Sequence, residues 1–511
     1  MLVRQTSRYA MNANLYALIE AHFPREGEVP CLLTPDGPVI HYGDLAEESA
    51  RLAHALVRAG CVPGDRVAVQ ADKHWRVLAL YLACLRAGLV YLPLNTGYQR
   101  TELQFFFDDA TPRVIVCRPE TLGMVATLAH EATVLTIDAN GGGDLHDRAA
   151  VESAQFETVQ SRPDDLAAIL YTSGTTGRSK GAALTHRNLA SNALALVEAW
   201  GFTRGDVLLH ALPIYHVHGL FVAIHCALLS GARLIWLPKF DAKDVIASLP
   251  AATVMMGVPT FYTRLLAEPT FTRDVCGNVR LFVSGSAPLL GETFDAFRAR
   301  IGQAILERYG MTETGMITSN PLDGVRVGGT VGRPLPGISV RVTGDGGEPC
   351  APGVVGGVEV RGPNVFSGYW QMPDRTREEF TADGWFRTGD IGEWVADGDA
   401  KDYLRLVGRA KDLIITGGLN VYPKEIEERL NALPGVFESA VIGVPDRDLG
   451  EAVTAVLVAE DGQRIDERDV IRSLKGEIAT FKVPKRVHVV AELPRNAMGK
   501  VQKNLLRERF S

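Results

Sequence analysis

The sequence predicts an α/β protein, with a large N-terminal domain of layered β/α subdomains plus a β-rich subdomain, and a small mobile α+β C-terminal domain. Amphipathic helical patterns alternate with short apolar strands over residues 15–130 and again over 166–310, as expected of parallel β/α layers. Residues 322–408 are rich in glycine and carry short alternating strands, which favours the β-rich subdomain. A compositional break then divides the chain into expected domains at residues 1–408 and 409–511.

Hydrophobic periodicity predicts the first elements of the N-terminal domain in alternating order. An amphipathic pattern over residues 44–60 predicts a helix that ends at Gly60, because glycine commonly follows the last turn of a helix. An apolar run predicts a strand over 66–70, and a second helix is expected over 74–88. Further strands, each before a helical segment, are predicted over residues 167–171, 207–211, 254–257 and 281–284.

Shorter patterns predict the rest of the chain. Strands are expected over residues 340–343 and 357–361, in the glycine-rich segment. In the C-terminal domain, Pro423 suits the first position of a helix. The predicted C-terminal elements are helices over residues 423–433 and 466–479 and strands over residues 439–444, 452–458 and 486–490.

Composition and charge exclude several classes of protein. Of the 511 residues, 46% are hydrophobic and 22% are charged, which rules out a disordered or fibrous chain. Lys plus Arg number 53 against 60 Asp plus Glu, and this acidic balance argues against nucleic acid as a partner. The most apolar stretch, residues 219–237, contains His225 and Arg233, so no membrane span is expected. The seven cysteines form no CxxC pair, which favours reduced thiols and a cytoplasmic location.

The segment YTSGTTGRSKGA, residues 171–182, carries the strongest chemical signal. An apolar strand leads into small hydroxyl and glycine residues that end at Lys180. Such residues let backbone N–H groups approach a phosphate, while the hydroxyls and the lysine add donors and positive charge. The segment is not a Walker A loop, because Gly181 stands where that loop needs Ser or Thr. Taken alone, it fits a flexible turn equally well.

Four further motifs follow in a fixed order. They are ERYGMTET at residues 307–314, RTGD at 387–390, GRAKDLIITGG at 408–418 and PRNAMGK at 494–500. Together with the first segment they resemble the adenylate-forming superfamily, which includes acyl-CoA synthetases, peptide-synthetase adenylation domains and luciferases. The resemblance covers nearly the whole chain. Ser179 is a departure, because many members of the family have proline at that position.

The resemblance implies an ATP and Mg²⁺ site. In the family, the residue at Tyr309 stacks near adenine, and Asp390 would accept both ribose hydroxyls because a carboxylate has paired acceptors. The implied metal ligands are Thr176 and Glu313, since a hard cation prefers oxygen ligands. If the resemblance is set aside, Glu313 is expected to be a solvated surface acid more often than a metal ligand. The implied ATP-binding residues are Thr172, Ser173, Gly174, Thr175, Thr176, Gly177, Lys180, Gly285, Ser286, Ala287, Glu307, Arg308, Tyr309, Gly310, Met311, Thr312, Asp390 and Arg409.

The C-terminal motifs imply the remaining machinery. Lys500 resembles the lysine that bridges the substrate carboxylate and the α-phosphate during adenylation, although a lysine in a basic tail is more often solvated. Lys411 stands at the hinge position, about which the small domain would rotate between two half-reactions. Coenzyme A would pass Gly417 and Gly418. A lysine acetyltransferase acting on Lys500 is a further expected partner, since acylation removes the charge.

The substrate segments resemble malonyl-CoA synthetases within this superfamily. Four residues are implied to bind the acid: Arg264, Ser286, His216 and Met311. Arg264 lies on a short, otherwise apolar helix, and its guanidinium would fork onto the second carboxylate of malonate. Alternatively, Arg264 extends to solvent or pairs with a structural acid.

The expected reaction is the ATP- and Mg²⁺-dependent ligation of malonate to coenzyme A through an acyl-adenylate, with methylmalonate left open as a substrate. The implied catalytic residues are Lys500, Glu313, Thr312 and His216. Three alternatives remain at this point. The chain could ligate another short carboxylic acid, act as a peptide-synthetase-type adenylation enzyme, or bind nucleotide as a regulatory protein without acyl chemistry.

Overall fold

The chain forms two compact units, and each is described separately. The computed structural model describes residues 12–26, 28–35, 37–172, 179–417, 419–475, 477–495 and 500–511. The first unit consists of the chain up to residue 328 together with residues 333–339 and 361–384. The second consists of residues 329–332, 340–360 and 385–511. The domain boundary expected between Gly408 and Arg409 stays a prediction.

Helices occur throughout the chain. They are α1 Leu15–Glu20, α2 Tyr42–Arg58, α3 Trp75–Arg86, α4 Arg100–Ala110, α5 Leu122–Leu128, α6 Asp144–Ala150, α7 His186–Ala199, α8 His225–Ser230, α9 Ala242–Ser248, α10 Pro259–Ala267, α11 Gly291–Ile301, α12 Pro373–Glu379, α13 Pro423–Asn431, α14 Glu467–Leu474 and α15 Lys503–Phe510. A π-helical segment, His218–Ile224, leads directly into α8. Such segments are rare and often lie at functional sites.

The strands are mostly short. They are β1 Pro30–Leu33, β2 Val39–His41, β3 Arg66–Gln70, β4 Val90–Pro93, β5 Val114–Cys117, β6 Thr133–Thr136, β7 Leu166–Thr172, β8 Lys180–Thr185, β9 Val207–His210, β10 Arg233–Trp236, β11 Val254–Gly257, β12 Leu281–Ser284, β13 Leu306–Met311, β14 Gly315–Ser319, β15 Arg333–Pro334, β16 Ser339–Thr343, β17 Gly356–Arg361, β18 Gly368–Tyr369, β19 Phe386–Trp394, β20 Leu404–Arg409, β21 Ile414–Thr416, β22 Leu419–Val421, β23 Val436–Asp446, β24 Gly450–Ala459 and β25 Arg486–Val490.

Two sheets form the framework of the first unit. In the described residues, one has nine strands in the order β15-β14-β13-β12-β11-β9-β10-β1-β2, and β1, β10, β9, β11, β12 and β13 are parallel neighbours. The other has the order β18-β8-β7-β4-β3-β5-β6, with parallel pairing from β7 through β6. Buried aromatic residues such as Tyr262, Phe282 and Phe297 pack beneath the nine-stranded sheet. Burial on both faces agrees with the continuous apolar runs in these strands.

The second unit has two smaller sheets. β16, β17, β19 and β20 form one, in that order, and the β17–β19 and β19–β20 pairs are antiparallel. The other has the order β22-β21-β24-β23, and β25 pairs with β24 in parallel. Its core contains Ile426 and Leu430 of α13 together with residues of β23 and β24.

The α/β class predicted from the sequence is confirmed, and most predicted elements agree with the structure to within three residues. β3, β11, β12 and β25 have the predicted bounds. The helix predicted over residues 466–479 is too long, because α14 ends at Leu474. Gly476 follows, and glycine weakens a helix. No helix in the described part of the chain is both long and apolar enough to cross a membrane.

Candidate active site

Two polar motifs meet at the carboxyl edge of the nine-stranded sheet. β12 ends at Ser284 and is followed by the loop 285–287. β13 lies beside β12, with Glu307 opposite Ser284. Because parallel strands end at a common edge, the segment SGSAP, residues 284–288, and the segment ERYGMTET come together there. This is the edge at which α/β sheets usually bind their ligands.

Arg308 brings a buried positive charge to this edge. It lies in β13 with 5% of its surface exposed, and burial lowers its pKa to about 9. Among the described residues, its Nε and Nη2 atoms have no hydrogen-bond partner. The guanidinium lies against the main chain of Gly285, where an added Cβ atom would be 2.3 Å from Cζ of Arg308. Because a pKa of about 9 lies above neutral pH, Arg308 is still protonated at neutral pH. An anion beside it would offset the free-energy cost of burying its charge.

His218 and Ser286 lie close to this guanidinium. Nδ1 of His218 is 3.2 Å from Oγ of Ser286, and Nε2 of His218 has no hydrogen-bond partner in the part of the chain that the structure describes. Burial, followed by the charge of Arg308, holds the pKa of His218 well below its usual range. The imidazole is therefore neutral. Ser286 has a φ of 70°, a conformation that costs energy for a residue with a side chain.

These side chains form a cluster that suits a small anion. Arg308, His218 and Ser286 supply nitrogen and hydroxyl groups that can donate hydrogen bonds, and Oγ of the buried Ser284 also has no partner among the described residues. A carboxylate accepts several such bonds, and one that involves a guanidinium is about twice as strong as a neutral one. We call these four residues the Arg308 cluster.

Glu313 follows β13 and is also buried. The hydroxyl of Tyr369 donates to its Oε1 over 3.1 Å. Burial and the charge of Glu313 raise the pKa of Tyr369 above its usual range, so the phenol keeps its proton. A carboxylate is the ligand type that Mg²⁺ prefers. Glu313 therefore fits the metal-binding role that the resemblance implies.

Lys180 lies at the start of β8, close to the same tyrosine. Its Nζ is 4.6 Å from the centre of the Tyr369 ring and 3.5 Å from Oε1 of Glu379. Thr172 stands opposite Lys180 in the β7–β8 pair. The residues between them that were predicted to bind ATP, which are Ser173, Gly174, Thr175, Thr176 and Gly177, lie outside the described residues. Their predicted contacts, and the metal role of Thr176, stay predictions.

The other nucleotide residues of the first unit lie on or beside β13. Tyr309 is buried, while Gly310, Met311 and Thr312 are half-buried. Ala287, in the loop after β12, is also half-buried. These residues share the sheet edge with the Arg308 cluster, and their individual roles stay predictions.

In the second unit, Asp390 and Arg409 face each other across the β19–β20 pair. Nε of Arg409 is 2.7 Å from Oδ1 of the buried Asp390. A carboxylate is the group type that accepts from both hydroxyls of a ribose, and the ribose-binding role of Asp390 stays a prediction.

Three further predicted residues lie in the second unit. Lys411 is in a 3-10 turn, Ala410–Asp412, and both Gly417 and Lys500 are exposed. Gly418 lies outside the described residues. The hinge, coenzyme A and adenylation roles of these residues stay predictions.

Arg264 and His216 differ from the Arg308 cluster in their exposure. Arg264 is exposed on α10, whereas Tyr262 of the same helix is buried and donates from its hydroxyl to the Val283 carbonyl over 2.6 Å. His216 is half-buried, and its Nδ1 accepts a hydrogen bond from the backbone N–H of His218 over 3.3 Å. In the described structure, Arg308 supplies the buried guanidinium at this edge, and the malonate-binding role predicted for Arg264 stays a prediction.

Sequence reasoning missed His218 and Tyr369 and described Arg308 only as a nucleotide residue. His218 lies two residues after His216 in the segment PIYHVHG, so the doubled histidine was a usable signal. Tyr369 is 56 residues from Glu313 along the chain, and no local pattern marks that pair.

Comparisons with known proteins identify the family of the chain. The family model described as AMP-binding enzyme matches residues 20–370, and the AMP-binding enzyme C-terminal domain matches residues 425–500. The chain is 37% identical to a mitochondrial malonate–CoA ligase from Mus musculus, across 92% of this chain and 87% of that protein. It is 36% identical to a sulfoacetate–CoA ligase from Cupriavidus necator, across 96% of each.

A similar solved structure is that of ATP-bound MatB from Rhodopseudomonas palustris. The TM-score is 0.95 and the identity is 53%, over 98% of this chain and 99% of that one.

Proposed function

The chain belongs to the AMP-binding enzyme family, and we propose that it is an AMP-forming acid–CoA ligase whose acid is malonate. In the first step, one carboxylate oxygen of malonate attacks the α-phosphorus of ATP, which forms malonyl-adenylate and releases pyrophosphate. In the second step, the sulfur of coenzyme A attacks the acyl carbon, loses its proton, and expels AMP. The products are malonyl-CoA, AMP and pyrophosphate.

The observation that carries the choice of acid is the burial of Arg308, two of whose nitrogen atoms have no hydrogen-bond partner among the residues that the structure describes. Malonate has a second carboxylate, which would pair with this guanidinium while the first one reacts. A monocarboxylate of similar length leaves the buried charge unpaired, and this is costly. Selection for a dianion therefore follows from the charge of the Arg308 cluster.

Ser286 and His218 orient that second carboxylate in this proposal. The hydroxyl of Ser286 can donate to one oxygen while the neutral imidazole of His218 donates from Nδ1 to Oγ of Ser286 and so fixes the direction of that hydroxyl. An oriented hydroxyl beside a guanidinium fixes both the position and the rotation of a planar carboxylate. The reacting carboxylate is then held at the sheet edge where the phosphate motifs end.

The catalytic roles proposed for the other residues rest on the family resemblance. Lys500 would stabilise the negative charge that develops between the carboxylate and the α-phosphate. Thr312 would donate to phosphate, and His216 would stand beside the reacting carboxylate. Glu313 would hold Mg²⁺, which when bound neutralises charge on the phosphates and on the leaving pyrophosphate.

Sulfoacetate is a second candidate substrate, for a specific reason. Its sulfonate is also an anion with several acceptor oxygens, and Arg308 discriminates by charge as much as by shape. The chain's similarity to a sulfoacetate–CoA ligase supports the same possibility. Methylmalonate would satisfy the Arg308 cluster equally well and is tested with the other two.

A cytoplasmic location and acylation of Lys500 complete the proposal. The free thiols of all seven cysteines support a reducing compartment. Acylation of Lys500 by a lysine acetyltransferase would remove the charge needed in the first step. Mass spectrometry of the protein isolated from cells tests for that modification.

The test of the function is a substrate panel with the purified protein. Coenzyme A-dependent AMP formation is measured with malonate, methylmalonate, sulfoacetate, acetate and butyrate. We expect the acids with a second negative charge to exceed acetate and butyrate by about a hundredfold in kcat/KM. Equal activity with butyrate and malonate would contradict the proposed substrate class.

A further inference from the structure

A short segment of the first unit connects the two motifs that handle phosphate and metal. We call residues 364–370 the strap. At its first end, Nδ2 of Asn364 donates to the Thr314 carbonyl over 2.8 Å, and the Phe366 N–H donates to the Glu313 carbonyl over 2.7 Å. The strap is therefore fixed to the turn that carries Glu313.

At its other end, the strap becomes a strand on the edge of the seven-stranded sheet. Tyr369 stands opposite Ala182 in the antiparallel pair of β18 with β8. The Trp370 N–H donates to the Gly181 carbonyl over 2.7 Å. This end is fixed to the first residues of β8, directly after Lys180. One continuous segment thus determines the separation of the Glu313 turn from the start of β8.

Tyr369 is the strap residue whose side chain reaches both motifs. Its hydroxyl donates to Oε1 of Glu313 over 3.1 Å, and Nζ of Lys180 lies 4.6 Å from the centre of its ring. The ring also packs edge-to-face on Phe366, with the ring centres 4.9 Å apart. The two contacts use different parts of the side chain: Glu313 needs the hydroxyl, whereas Lys180 needs the face of the ring.

A hydroxyl bound to one carboxylate oxygen limits the rotation of the carboxylate. A carboxylate that is held in one orientation suits a cation of small radius and strict geometry, because such a cation needs its ligands in fixed directions. The ring face holds the Lys180 ammonium where it is partly desolvated, since Lys180 has 13% of its side chain exposed. A single side chain can therefore align a metal ligand and a phosphate-binding lysine together.

We propose that Tyr369 is a positioning residue that aligns Glu313 for Mg²⁺ through its hydroxyl and Lys180 for phosphate through its ring. This inference rests on the proposed function, which gives Glu313 and Lys180 those two roles. It does not depend on the identity of the acid. The hydroxyl and the ring can be tested separately, because Tyr369→Phe removes only the hydroxyl, whereas Tyr369→Leu removes the hydroxyl and the aromatic ring.

The test measures ATP binding by calorimetry on the full-length protein, once with Mg²⁺ and once with EDTA, and without any acid. Tyr369→Phe should weaken the binding of MgATP about tenfold or more and leave the binding of metal-free ATP within about twofold. Tyr369→Leu should weaken both, because Lys180 also loses its aromatic neighbour. Tyr42→Phe is the matched control, since it removes a buried phenol hydroxyl that donates to the Ala232 carbonyl.

Each outcome decides the matter. If Tyr369→Phe binds MgATP as the wild type does, or loses MgATP and metal-free ATP equally, the positioning role is wrong. If the wild type itself binds ATP with no dependence on Mg²⁺, the metal role in the proposed function fails first, and the inference fails with it. The ratio of the two affinities is measured within one variant, so a partly unfolded preparation does not alter the conclusion.

Discussion

At the scale of single residues, the proposed recognition of the second carboxylate depends on the contact between Arg308 and Gly285. The guanidinium occupies the space that a side chain at position 285 would need, so the glycine and the buried arginine require each other. The motif ERYGMTET placed Arg308 at the site, but only the packing of β12 against β13 shows that it is buried against Gly285. Sequence alone therefore located the residue at the site but could not show its burial, and the nucleotide role predicted for it stays a prediction.

Gly285→Ala tests this contact. The added Cβ atom would lie 2.3 Å from Cζ of Arg308, so the guanidinium must move. We expect kcat/KM for malonate to fall about tenfold to a hundredfold, because small displacements of a positioning group have effects of this size. The KM for ATP should change much less.

Gly291→Ala is the control for that variant. Gly291 is the first residue of α11, and nothing lies within 4 Å of the Cβ atom that alanine would add. Steady-state kinetics on both variants make the comparison. An equal loss for ATP and malonate in Gly285→Ala would contradict a contact that serves malonate selectively.

At the scale of elements, apolar periodicity predicted the framework well. β3, β11 and β12 have the predicted bounds because each is a short apolar run in a parallel sheet buried on both faces. Periodicity could not show the π-helical segment His218–Ile224, since its wider turn depends on tertiary packing. At Gly219, for instance, a Cβ atom would be 1.9 Å from the Pro213 carbonyl oxygen.

The helix that continues this segment makes the first unit sensitive to acid. His225 begins α8, and burial lowers its pKa to about 3. The unfolded chain therefore binds a proton that the folded chain does not, from about pH 6.5 down to pH 3. Within that window, stability falls as the pH falls, by about 1.4 kcal/mol for each pH unit.

His225→Asn should remove this dependence. Between pH 7 and pH 5 the wild type should lose about 2 kcal/mol from this group, and the variant should lose that much less. Urea unfolding at the two pH values measures the difference. His22→Asn is the control, because His22 is only half-buried and its ring hydrogen-bonds to the backbone carbonyl of Leu18. If His225→Asn and the wild type show the same pH dependence, His225 is not the acid-sensitive group.

At the scale of the whole molecule, the proposed reaction needs residues from both units. The first unit carries the Arg308 cluster and Glu313, and the second carries Asp390, Lys411 and Lys500. The sequence predicted a boundary between Gly408 and Arg409, which would place Asp390 in the N-terminal domain, and that boundary stays a prediction. The sequence could not predict which arginine is buried, because burial depends on contacts between strands that are distant in sequence.

Lys500→Ala tests the role of the second unit. If Lys500 acts only in adenylation, the variant should lose pyrophosphate release with malonate and ATP almost entirely. It should still convert supplied malonyl-adenylate and coenzyme A to malonyl-CoA. The two half-reactions are followed separately by pyrophosphate detection and by chromatography of the thioester. Equal loss of both would show that Lys500 has a different or a structural role.

The most direct test of the central claim compares Arg308→Leu with Arg264→Leu on malonate and butyrate. Arg308→Leu should still fold, because replacing a buried charge with an apolar residue is often neutral or stabilising. We expect its kcat/KM for malonate to fall about 10²–10³-fold and that for butyrate to hold or rise. The exposed Arg264 should give a smaller shift in the malonate-to-butyrate ratio. If Arg308→Leu leaves that ratio unchanged, Arg308 does not bind the second carboxylate of malonate, and the proposed basis of substrate selection is contradicted.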